Sequence, residues 1–87
     1  MNWQLLFSKQ SLKDAKKLKS ANLWKNAEKL LDVLRQNPFQ SLPSFEKLIG
    51  DLDGAYSRRI NIQHRLVYQV KKEEKVVRIL RMWTHYE

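Results

Sequence analysis

Glu46, His64, His85 and the arginines Arg58, Arg59 and Arg65 are the residues whose types can move protons or hold an anion. Two histidines without organised carboxylates make a poor metal centre. With no cysteine, the chain has neither a disulfide framework nor a thiolate metal site. No metal and no cofactor is expected. There is no glycine-rich phosphate loop, and no serine has an evident activating base. What remains is a carboxylate, several guanidinium groups and a histidine. Metal-free cleavage of RNA needs a base for the 2′-OH, positive charge at the phosphorane and an acid for the leaving 5′-oxygen. Spacing alone does not assign those roles, because a lone loop glutamate and a histidine late in a chain are usually surface residues.

The elements that must position these groups are readable. Two β-branched and aromatic runs, Tyr56 to Ile62 and Arg65 to Val70, flank Gln63-His64 as a tight hairpin. Alternation puts Tyr56, Arg58, Ile60 and Ile62 on one face and Ser57, Arg59 and Asn61 on the other. In the second run Leu66, Tyr68 and Val70 share a face, opposite Arg65, Val67 and Gln69. Three arginines on rigid backbone make an anion-binding arrangement.

Asn2 to Phe7 alternates as a first strand. Ser8 is placed to cap a lysine-rich helix that turns Leu12, Ala15 and Leu18 to the core. Ser20 caps a second helix over 22–35, where Leu23, Trp24, Ala27, Leu30, Leu31 and Leu34 form one buried stripe. Asn37-Pro38 ends it. The connection from Gln40 to Gly54 holds one short helical turn near Phe45–Leu48, with Glu46 in it. Lys75 to Trp83 reads as the last strand. The expected fold is α+β: one domain over 1–87, a small, mainly antiparallel four-stranded sheet packed on two N-terminal helices. Tyr56, Tyr68, Trp83 and Tyr86 are candidates to stack on bases, against packing roles in a small core.

Eighty-seven residues support one modest core. Lys and Arg number 17 against 9 Asp and Glu, a net charge of +8, which favours a polyanionic partner such as RNA or the ribosome. The apolar runs are too short to span a membrane or to serve as a signal-peptide core, so a cytoplasmic protein with no membrane partner is expected.

One ordered set of residues is more specific than any of these patterns. Pro43…Glu46-Lys47-Leu48…Leu52-Asp53-Gly54-Ala55-Tyr56-Ser57-Arg58-Arg59-Ile60…His64-Arg65-Leu66-Val67-Tyr68…Thr84-His85-Tyr86 resembles the YoeB/Txe toxins of the RelE superfamily, over nearly the whole chain. The resemblance implies a RelE-like fold and the toxin of a type II toxin–antitoxin pair, which enters the ribosomal A site and cuts mRNA there. It makes Glu46 the general base, Arg65 the phosphate-binding arginine and His85 the general acid. Arg59 and Tyr86 become substrate contacts, and Arg58 joins them as a basic residue of the same motif. The chain departs from the family in Ile49, in Trp83-Thr84 and in Glu87 beyond the His-Tyr pair, leaving Lys47 and Arg81 as the basic residues to replace missing contacts. The implied partners are an acidic antitoxin that folds on binding, the ribosome with its mRNA, and operator DNA only as the toxin–antitoxin complex. Both a monomer and a homodimer stay open. Other classes are a superfamily toxin that binds a protein target such as gyrase, and a non-catalytic RNA- or ribosome-binding protein.

Overall fold

The computed structural model describes residues 2–40, 45–47 and 54–85, with Thr84 and His85 given by their backbone alone. β1 (Gln4–Phe7), α1 (Lys9–Ser20), α2 (Trp24–Gln36), β2 (Phe45–Lys47), β3 (Ala55–Arg59), β4 (His64–Lys71) and β5 (Val76–His85) follow one another. The sheet order is β1-β5-β4-β3-β2. β1 runs parallel to β5, and every other neighbouring pair is antiparallel. The sheet therefore has five strands where the sequence predicts four.

The extra strand is β2, where a helical turn was expected. Phe45, Glu46 and Lys47 pair with Arg58, Ser57 and Tyr56. A three-residue edge strand carries no periodic signal of its own; its backbone groups find partners only because β3 lies beside it. Leu48 lies outside the described residues.

Ser8 behaves as its type predicts. Its hydroxyl oxygen accepts from the Ser11 N–H at 3.0 Å and caps α1. Ser20 does not cap α2; it is the last residue of α1. Asn22, at φ 60°, ends that helix in the left-handed region. The Leu23 N–H reaches back to the Leu18 carbonyl at 2.8 Å and the Asn22 N–H to that of Lys19 at 3.2 Å, a Schellman closure.

α1 is rotated from the face its apolar residues suggest. Ser11, Asp14 and Leu18 are buried, whereas Leu12 is 53% exposed. A polar group is buried readily only when the interior satisfies it, and Asp14 is satisfied by β5 together with Gln10 of its own helix. α2 follows its stripe: Ala27, Leu30, Leu31 and Leu34 are buried, and Leu23 and Trp24 pack beside them. These residues meet Ile60, Leu66, Tyr68, Val77, Ile79 and Met82 in the main core.

The hairpin keeps the alternation read from sequence, with Tyr56 opposite Tyr68 and Arg58 opposite Leu66. At the turn β3 stops at Arg59, short of the predicted Ile62, whereas β4 starts at His64, which was read as part of the turn. Asn61 closes the turn instead: its side-chain oxygen accepts from the N–H groups of Gln63 at 2.9 Å and His64 at 2.7 Å. Ile62, read as strand, stands 80% exposed at the tip. Among the described residues, no helix is long and apolar enough to cross a membrane.

Candidate active site

The residues that form a site are set out by strand register. Across one face, Glu46 on β2 stands in register with Ser57 on β3, and Ser57 with Val67 on β4. Ser57 and Val67 are buried, while Glu46 is exposed, so the carboxylate stands at the edge of an occluded floor. One row further along the same face, Arg59 and Arg65 are directly opposed, and Arg65 in turn pairs with Thr84 of β5.

Rows two residues apart lie roughly 7 Å from each other, and neighbouring strands about 4.8 Å. The α-carbons of Glu46 and Arg65 are then separated by roughly 12 Å, a gap that two long side chains and one phosphodiester can span. Two guanidinium groups opposed across an antiparallel pair present several N–H donors to the oxygens of a single phosphate. A carboxylate on one side and paired guanidiniums in the middle give two of the three requirements for metal-free transesterification. The next position on β5 is His85, whose backbone pairs with His64. Tyr86 lies outside the described residues.

Three expected contacts are placed elsewhere. Arg58, read as a substrate arginine, is fully buried. Its Nη2 donates to the carbonyls of Pro38 at 3.0 Å and Gln40 at 2.7 Å, and its Nε to the Tyr68 hydroxyl at 3.0 Å. The guanidinium also lies 4.8 Å from the centre of the Phe45 ring. Arg58 is thus a bolt between β3 and the connection leaving α2, out of reach of any RNA. Burial pushes the Tyr68 hydroxyl above its ordinary acidity constant, and the Arg58 cation only partly offsets this.

Lys47 is exposed but one residue from Glu46 along β2, and so on the opposite face. Arg81 is tied to α1: its Nε donates to Asp14 Oδ2 at 3.0 Å and its Nη2 to the Trp83 carbonyl at 3.4 Å. The aromatic candidates also divide. Tyr56 and Tyr68 stack on each other at 5.9 Å within the core side of the sheet, and Trp83 packs on the His64 ring at 4.1 Å.

Asp14 is the residue that sequence reasoning passed over. Its Oδ2 accepts from the N–H groups of Met82 at 2.9 Å and Trp83 at 3.2 Å as well as from Arg81, while Oδ1 accepts from the Gln10 amide at 3.0 Å. The available signal was its place in the Ser11, Asp14, Leu18 stripe, a helical i, i+3, i+7 spacing. Burial alone would raise its carboxyl, but the hydrogen bonds from Met82 and Gln10 and the charge of Arg81 hold it below the ordinary aspartate value. A carboxyl depressed in the folded state stabilises above its unfolded value, about 3.9, and that contribution is lost as pH falls through the folded value. Wild type should therefore melt above Asp14→Asn at pH 6, and the gap should narrow below about pH 4. Thermal melts of both proteins across that range check it.

Residues 7–86 match the family model described as the YoeB-like toxin of bacterial type II toxin–antitoxin systems. Toxin YoeB of Synechocystis sp. is 35% identical over 74 residues, 85% of this chain and 77% of that protein. Toxin YoeB of Mycobacterium bovis is 38% identical over 58 residues, 67% of this chain; the chain spans 66% of that relative's length. Among solved structures, the YoeB dimer from Staphylococcus aureus superposes with a TM-score of 0.82 at 32% identity, covering 99% of this chain and 100% of that one. The YoeB/ParE toxin from Agrobacterium tumefaciens gives 0.85 at 28% identity, covering 95% and 99%. Matched along four-fifths or more of its length by both sequence and fold, the chain belongs to the YoeB-like toxins of bacterial type II toxin–antitoxin systems.

Proposed function

We propose that this toxin is a ribosome-dependent endoribonuclease that acts in the cytoplasm and cuts mRNA in the A site. The observation that carries this reading is the opposition of Arg59 and Arg65 one row from Glu46 on the same face of the sheet. Glu46 takes the proton of a ribose 2′-OH, which attacks its own 3′-phosphodiester. Arg65, with Arg59, stabilises the charge growing on the phosphate oxygens. His85 donates a proton to the leaving 5′-oxygen. The products are a 2′,3′-cyclic phosphate and a 5′-OH, and no metal or cofactor takes part. Arg59 and Tyr86 contact the substrate.

The cognate antitoxin neutralises the toxin. A similar toxin has been solved as the YoeB–YefM complex from Staphylococcus aureus, at 34% identity. With a charge of +8, this chain suits an acidic segment that folds on binding. Operator DNA is engaged only as that complex.

The test is to add the purified protein to ribosomes paused on a defined message and map the new mRNA 5′ ends. The expected ends lie inside the A-site codon and carry a 5′-OH. Arrest of translation with intact mRNA would point to a non-catalytic ribosome binder, and intact translation with inhibited gyrase to a protein-directed toxin.

A further inference from the structure

β5 contains two more residues than β4 needs. Tyr68 to Lys71 pair with Ile79 to Val76 in one regular register. Val67 then pairs with Arg81, one residue late, and Arg65 with Thr84 and His64 with His85, two late. Continued unbroken, the first register would have set Met82 against Arg65 and Trp83 against His64. The bulged segment thus moves His85 by two residues, roughly 7 Å, to its place beside the start of β4.

A bulge strands backbone groups that the ladder would otherwise satisfy. Here the first half of α1 takes them up. At the N-cap of that helix, the Ser8 hydroxyl donates to the Leu80 carbonyl at 2.9 Å, just past the last bond of the β1–β5 ladder, in which the Ser8 N–H donates to the Ile79 carbonyl at 3.0 Å. Asp14 Oδ2 accepts both the Met82 and Trp83 N–H groups. The carboxylate is fully buried and has no path to RNA.

We propose that Asp14 is a positioning residue for the reaction: by capping the bulge of β5 it sets the register that carries His85 to the site. The proposal rests on the nuclease reading for its catalytic half and on the strand register for its structural half. An alanine at 14 leaves the buried Met82 N–H and the part-buried Trp83 N–H without their acceptor, and the regular register, which would return the Met82 N–H to β4, becomes the favourable alternative.

The test uses the full chain, isotope-labelled, as wild type, Asp14→Ala and Asp14→Asn. Backbone cross-strand NOEs between His64 and His85 and between Arg65 and Thr84 report the register; those from Tyr68–Ile79 to Lys71–Val76 report the rest of the sheet. In Asp14→Ala the first group should vanish and the second persist. Single-turnover cleavage on saturating ribosomes should fall roughly 100-fold, as expected of misplaced reacting groups, with the half-saturating ribosome concentration unchanged. Asp14→Asn keeps one oxygen for the N–H groups and should retain the NOEs with a smaller loss of rate. If Asp14→Ala does not fold, Asp14→Asn is joined by Ser8→Ala, which loses the Leu80 bond, under the same two readouts. Persistence of the His64–His85 and Arg65–Thr84 contacts in Asp14→Ala overturns the proposal, as does an unchanged rate once they are lost. A wild-type chain that cleaves nothing overturns the nuclease reading instead, and the NOEs still decide the register.

Discussion

Glu46→Gln should abolish mRNA cleavage while leaving the fold and ribosome binding intact. Glutamine keeps the size of the side chain and its hydrogen-bonding oxygen but cannot take up a proton. Glu46 is exposed on a short edge strand, so its replacement removes no core contact. General base catalysis contributes about 100- to 10,000-fold, and the single-turnover rate should drop within that range. Co-sedimentation with ribosomes should be unchanged, as should the melting temperature. Arg65→Lys should lose comparable activity, since an ammonium cannot present the planar fork of a guanidinium to two phosphate oxygens. A Glu46→Gln protein that cuts at the parental rate would reduce Glu46 to a surface carboxylate and move the base elsewhere.

Arg58→Met should have the largest effect on stability. Methionine fills part of the volume but leaves the carbonyls of Pro38 and Gln40 and the Tyr68 hydroxyl without the donor that now serves all three. Unsatisfied buried groups and imperfect filling together cost about 3–5 kcal/mol. For a domain of this size the melting temperature should fall by at least roughly 12 °C. Arg58→Lys should rescue little, because one ammonium cannot reach two carbonyls and a phenol along the same plane. Urea and thermal unfolding give the answer directly. A melting point within a degree or two of wild type would mean that the bolt between β3 and the 38–40 segment holds nothing.

That arginine also shows how far the sequence could be read. Alternation correctly separates Arg58 from Arg59, and it places Arg58 with Tyr56 and Ile60, on what proves to be the buried face. Charge type suggested an anion site for all three arginines; parity is what distinguishes them. The α2 stripe and the Ser8 cap were legible because both depend on residues within a few positions of each other. β2, the rotation of α1 and the bulged end of β5 were not, because each depends on a distant partner. Phe45–Lys47 is a strand through β3, and Asp14 is buried through Met82 and Trp83. Within the candidate site, the residue types were readable from the chain, whereas the placing of Glu46 one row from the Arg59–Arg65 pair on the same face required the register.

The parallel pairing of β1 with β5 has a consequence for how the protein is made. β5 lies between β1 and β4, yet it is the element synthesised after all its partners. Until it arrives, the N-terminal strand has no neighbour in the sheet, the Asp14 carboxylate has no backbone N–H groups to accept, and much of the core is open. Closing a contact over some seventy residues is among the slower steps in folding a small domain. The growing chain is therefore a collection of exposed parts for most of its synthesis. The toxin fold cannot close until translation has run through β5.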